Sequence, residues 1–103
     1  MTDYVADVKK YATKVDEAVV DKIVKYCGIA LRNKDSSLVS STDKAELDRV
    51  RDGFAKKKLE LEPAAAEAGI EKVCATLKGV NQKSRVTFYY LLAEATGTMD
   101  KLR

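Results

Sequence analysis

Two basic stretches carry the residue types most able to do chemistry. The first, Arg49 to Lys58, holds five cationic side chains within one predicted helix. Nucleic-acid binding requires such cations on one face, where they neutralise several phosphates together. A helical projection puts Arg49 and Lys56 on the outer face, with Arg51 and Lys58 flanking the apolar stripe. Acidic residues stand at pairing distance: Glu46 with Arg49, Asp48 with Arg51, Asp52 with Lys56. A solvated, internally paired helix therefore explains this stretch better than a phosphate track. The second stretch, Lys83, Ser84 and Arg85, opens the last predicted helix. Free backbone N–H groups and the positive end of the helix dipole suit an anion there. A serine N-cap flanked by solvated charges is the plainer account, since nothing Gly-rich precedes it and no phosphate-loop or dinucleotide fingerprint occurs.

Other constellations are weaker. The last two predicted helices are joined by a turn of helix-turn-helix length. A recognition helix presents polar side chains to base edges, whereas this one offers Phe88, Tyr89, Tyr90, Leu91 and Leu92. An ordinary helical hairpin is expected. Tyr26, Cys27, Cys74, Tyr89 and Tyr90 could supply a thiol nucleophile or an acid, but the sequence shows no group to activate either cysteine. Both cysteines lie on apolar stripes, so buried reduced thiols are expected rather than a disulfide. The chain contains no His. This removes the commonest general base and metal ligand, and with them every Ser-His or Cys-His arrangement. Neither catalytic residues nor a metal or cofactor are expected, and enzymatic activity ranks last.

The elements that must position these residues are helical. The 103 residues are 46% hydrophobic and 34% charged, a globular balance on a chain long enough for one core. No apolar run approaches the ~20 residues of a membrane span. The start, Met1 to Tyr4, has no basic or apolar signal region, so a cytoplasmic setting is expected. Charge is patchy: residues 32–58 carry +3, 59–75 carry −3 and 76–103 carry +3, while 1–31 balance.

Five helices are predicted, forming an all-α single domain over residues 1–103. The first runs from about Thr2 to Tyr11, capped by Thr2 or Asp3, with Tyr4, Val5, Val8, Tyr11 and Ala12 inward. The second, about Asp16 to Leu31, is the clearest, with Val20, Ile23, Val24, Cys27 and Leu31 in one arc, widened by Val19, Tyr26 and Ala30, and Asp16 as N-cap. Asp21, Lys22 and Lys25 take the opposite side. A loop over 33–42 tucks Leu38 and Val39 onto the core. The third helix begins near Asp43, whose spacing to Glu46 outlines a capping box, and buries Leu47, Val50 and Phe54. The fourth starts at Pro63, buries Ala66, Ile70, Val73, Cys74 and Leu77, and closes at Gly79. The last, Ser84 to Thr96, has high strand propensity through Val86–Leu92. A lone strand would leave its backbone unpaired, so a helix is predicted, apolar almost all round and central to the bundle.

Several segments resemble a family of small uncharacterised bacterial proteins classed as a domain of unknown function. They are Val8–Tyr11, Ile23–Leu31, Asp35–Ser40, Arg49–Asp52, Lys56–Leu59, Val73–Thr76 and, most specifically, Lys83–Glu94. The resemblance implies a compact helical domain and brings no catalytic residues with it. Two functions remain: contact with a protein partner or a second copy through apolar surface left on the last helix, and weak nucleic-acid or anion binding through Arg49, Lys56, Lys83, Ser84 and Arg85.

Overall fold

In a computed structural model, residues 4–12, 15–28, 38–39, 43–79 and 83–102 are described. Among these residues five helices carry the fold: α1 (Tyr4–Lys9), α2 (Glu17–Cys27), α3 (Lys44–Arg49), α4 (Pro63–Thr76) and α5 (Arg85–Thr96). A π-helical segment, Val50–Lys58, continues α3, and a 3-10 turn, Met99–Leu102, follows α5. No strand occurs among the described residues. The Cα radius of gyration, 12.2 Å, is close to the ~13 Å of a compact domain this long.

The ambiguous last segment is a helix, and it is the hub of the bundle. Every residue from Val86 to Ala93 is buried, and α5 packs against α1, α2, α4 and the 3-10 turn. Hydrogen bonds at its central polar atoms tie it to the surrounding elements. The buried Thr87 hydroxyl donates to the Asp7 carboxylate of α1. The Tyr90 hydroxyl accepts from the Asp16 N–H at 2.9 Å. Thr87, expected on a polar side with Glu94, is thus inside, because Asp7 satisfies its hydroxyl. The apolar surface expected to remain on this helix is covered by the chain's own elements.

The termini of the elements follow their sequence signals with some exceptions. Asp16 caps α2 through bonds from the Ala18 and Val19 N–H groups at 3.0 and 3.4 Å. Asp43 caps α3 in the same way. The capping box is only half formed: the Glu46 carboxylate turns to Arg85 and Arg49. Ser84 occupies the α5 cap position, yet its side chain makes no cap bond, and its buried Oγ has no partner among the described residues. Gly97 closes α5 in the left-handed region, φ 68°, where glycine carries no Cβ penalty. Val39 is buried as expected, and its N–H donates to the Lys83 carbonyl at 2.8 Å. The predicted cap of α1, the Leu31 end of α2 and most of the 33–42 loop lie outside the described residues.

The third predicted helix changes character at Val50. The Leu59 N–H reaches back five residues to the Phe54 carbonyl at 3.2 Å, the wide pitch of a π-helix. That pitch advances about 80° per residue, against about 100° in an α-helix. Val50, Phe54, Ala55 and Leu59 then share one face, and all four are buried. The α-helical projection set Ala55 and Leu59 far from Val50. The chain then reverses through Glu60, a non-glycine residue at φ 54°, before Pro63 opens α4.

Candidate anion-binding site

The five residues singled out in the sequence are differently disposed. Arg49 and Arg85 meet at one carboxylate, Glu46: Arg49 reaches Oε2 at 3.6 Å from solvent, and Arg85 binds Oε1 from inside. The Arg85 and Glu46 side chains are each 13% exposed. Arg85 also donates to the Tyr89 hydroxyl at 2.9 Å and to the Leu38 carbonyl at 3.4 Å. Burial alone would pull its guanidinium down, but Tyr89 and Glu46 more than offset this and hold it above the ordinary range. Its donors are directed into the protein. Lys56 is exposed, and its charge helps Arg51 hold Asp52 below the usual carboxylate range. Asp52 pairs with Arg51 at 2.9 Å, and no Asp52–Lys56 ion pair forms. Asp48 and Glu67 also bind Arg51, at 3.4 and 2.7 Å. Lys83 is half-buried beside Cys74.

A different set of cations converges. Lys22 and Lys25 of α2, Lys58 at the end of the π-helix and Lys101 of the 3-10 turn surround Tyr26, with Leu102 at the base of a recess of about 330 Å³. Three elements separated in sequence contribute to it. On α2, Lys22, Lys25 and Tyr26 stand at i, i+3 and i+4, one face of the helix. Lys101 is carried in by Leu102, whose side chain is buried in the core.

The aromatic floor is built from the core outward. Phe54 and Tyr89 stack with centroids 4.0 Å apart and planes 11° apart. Tyr26 leans on Phe54 at 5.4 Å and on Tyr89 at 6.4 Å. Tyr26, expected on the widened apolar arc of α2, is instead 42% exposed, the one large hydrophobic side chain at the surface among the described residues. The Lys58 ammonium lies 5.7 Å from its ring centroid, a cation–π distance. Partial burial, with Cys27 adding to it, raises the Tyr26 hydroxyl above its ordinary value, so the ring is neutral at pH 7.

Two of the four lysines have carboxylate partners. Lys25 lies 3.3 Å from Asp21, and Lys101 lies 2.9 Å from Glu60, whose carboxyl it holds below the ordinary range. Both pairs are largely exposed and hence weak. Lys22 and Lys58 have no ion-pair partner among the described residues. Lys22 and Lys25, predicted on the solvated side of α2, are exposed there. What the sequence withheld is that Lys58 and Lys101 fold over the same side.

A second recess, about 350 Å³, lies between α3 and α4. Leu47, Ile70 and Cys74 give it an apolar lining, and Lys44, Asp48, Arg51, Glu67 and Glu71 surround them.

Neither thiol is poised for nucleophilic chemistry. Burial pushes Cys27 up to about 11 despite the opposing charge of Arg85, and burial likewise raises Cys74. Both are free cysteines. No group of three or more His, Cys, Asp or Glu side chains that could hold a metal occurs among the described residues. No helix among them is long and apolar enough to cross a membrane.

No curated protein matches this chain. Residues 3–100 match the family described as "Protein of unknown function (DUF2853)", and with nearly its whole length inside that match the chain belongs to this family.

Proposed function

We propose that this protein binds phosphate-type anions in the recess around Tyr26. One observation carries the reading: four lysines from three elements line a single concavity, and no carboxylate lines it among the described residues. Lysine is a compact point charge with three donors on a flexible stem, suited to phosphate oxygens whose exact positions vary. A phosphate entering the recess competes with Asp21 and Glu60 only through exposed ion pairs. The cost of freeing Lys25 and Lys101 is correspondingly small. The anion-binding function read from the sequence is thereby kept, and its residues move from Arg49, Lys56, Lys83, Ser84 and Arg85 to Lys22, Lys25, Lys58 and Lys101. A cytoplasmic setting accords with two unpaired cysteines, which persist as thiols where reductants are abundant.

The test is an NMR titration of the ¹⁵N-labelled protein with inorganic tripolyphosphate at about 50 mM salt, where phosphate contacts are strong. Amide shifts should centre on Lys22, Tyr26, Lys58 and Lys101, and the Lys22→Gln/Lys58→Gln double variant should lose them. Shifts centred on Arg49, Lys56 and Lys83 would restore the sequence-derived site. No shifts at all would end the anion reading.

Contact with a second copy of the chain is the alternative, and the recess between α3 and α4 favours it. Leu47, Ile70 and Cys74 offer apolar surface, while the surrounding charges carry both signs, as a self-complementary two-fold interface requires. Sedimentation equilibrium decides it: a strictly monomeric protein at high concentration rules this reading out.

A further inference from the structure

We propose that the natural ligand of the Tyr26 recess is single-stranded nucleic acid, bound without sequence preference, with one base stacked on the Tyr26 ring. The inference rests on the anion reading above and adds what a phosphate alone leaves unexplained: an exposed aromatic ring at the centre of the lysines. A site for bare phosphate needs no such ring. Tyr26 is also the outer member of an aromatic series that begins in the core with the Tyr89–Phe54 stack and ends at the surface. Packing against Phe54 and Tyr89 restrains the ring, so little further entropy is lost when a base lies on it. Lys58 now sits over that ring at 5.7 Å. A base replacing its ammonium there exchanges a cation–π contact for stacking, and frees Lys58 to reach a flanking phosphate.

A positively charged groove beside an aromatic platform is the arrangement by which single strands are held. The recess lining accounts for the remaining specificity. Among the described residues it contains lysines, Tyr26 and Leu102, and none of the Asn, Gln or Arg side chains that read base edges in pairs of hydrogen bonds. Sequence-tolerant binding follows. A duplex is disfavoured because its base faces are already stacked on one another. A recess of about 330 Å³ is at the small end of ligand sites, enough for a base but not for a helix of nucleic acid.

The experiment is fluorescence anisotropy of the full chain at about 50 mM salt with labelled strands of about 15 nucleotides. The strands are an oligothymidine, its abasic deoxyribose-phosphate equivalent and a mixed-sequence duplex. The oligothymidine should bind tightest. Tyr26→Leu should weaken it by about 5- to 150-fold, the range for losing one stacked base, while leaving the abasic strand unchanged. Tyr26→Phe, which keeps the ring, should retain wild-type affinity. Because Tyr26 is exposed, circular dichroism of both variants should match the wild type. If the abasic strand or the duplex binds as tightly as oligothymidine, or Tyr26→Leu weakens all strands equally, base stacking is wrong while the anion site stands. If neither the strands nor tripolyphosphate bind, both readings fall together.

Discussion

Glu46→Ala should destabilise the fold by about 2–3 kcal/mol, well beyond what an ordinary surface carboxylate contributes. The reason lies in what it leaves behind. Removing one member of a buried ion pair typically costs about 3–5 kcal/mol, since the other charge stays in place uncompensated. Two features lower that figure here: both side chains retain 13% exposure, and Arg85 keeps its bonds to the Tyr89 hydroxyl and the Leu38 carbonyl. Losing an acidic group from the first turn of α3 adds a few tenths of a kcal/mol. The pairing of Glu46 with the exposed Arg49 contributes nothing appreciable. For a chain of this size the loss corresponds to a melting temperature lower by about 10–20 °C. Urea unfolding followed by far-UV circular dichroism measures it. Glu46→Gln, which keeps an acceptor oxygen without the charge, should be intermediate. Combining Glu46→Ala with Arg85→Met removes both charges, so its cost should fall below the sum of the single costs by about 1–3 kcal/mol. A Glu46→Ala cost within about 0.5 kcal/mol, or an additive double variant, would refute the view that these groups stabilise each other.

Three further outcomes test separate parts of the structure. With up to four phosphates neutralised, oligothymidine affinity should fall about 20- to 50-fold between roughly 50 and 200 mM salt, and Lys22→Gln/Lys58→Gln should halve the logarithmic slope. A slope unchanged in that variant would show that other cations hold the backbone. Gly69→Ala should destabilise despite alanine's better helix propensity, because its Cβ would stand 2.5 Å from Thr96 Cγ2 and 2.8 Å from Leu92 Cδ1. Thr96→Ser in the same chain should recover much of the loss in urea unfolding, and a stabilising Gly69→Ala would show that this contact gives way freely. Cys27, raised from the ordinary value near 9 to about 11, should react slowly with iodoacetamide at pH 8. The fold favours its protonated thiol, so the unfolded chain gives up that proton first, and stability should decline as pH rises from about 9 to about 11. Tyr26 and Tyr89, also raised, act in the same direction, so Cys27→Ala should flatten only part of the decline.

The helices were legible where one local signal sufficed. Asp16 and Asp43 before apolar periods, Pro63 at a first turn and Gly97 after the last apolar residue mark their helix ends without any knowledge of the fold. Even the strand-like Val86–Leu92 segment could be assigned, because an unpartnered strand leaves backbone groups unsatisfied and a central helix does not. The π-helical segment was missed for a specific reason. Its buried residues, Val50, Phe54, Ala55 and Leu59, fall four, five and nine apart, a period longer than 3.6, so a projection at 100° scatters them. That spacing was present in the sequence and was read with the wrong angle. Gly69 is a point of close approach between α4 and α5, which no local signal in the sequence marks.

Site residues follow a harder rule, visible in the contrast between Arg85 and Lys101. Arg85 belongs to a compact basic motif at a helix start, and the fold spends it on a carboxylate 39 residues away. Lys101 belongs to no motif, yet Leu102 beside it anchors in the core and sets Lys101 on the recess that α2 also lines. Local density of charge therefore says little about a binding surface in a small helical bundle. Within the clustered stretch Arg51 is recruited to Asp48, Asp52 and Glu67, while Lys58, seven residues on, stays exposed at the recess. A cation isolated near a chain reversal stays in solvent, and only the packing of distant apolar residues decides what it faces. Phe54 illustrates this twice, since it is both the core residue that orders the π-segment carrying Lys58 and the ring against which Tyr26 rests. The recess is thus a consequence of how the core closes, and a substitution at Phe54 should perturb ligand binding and stability together.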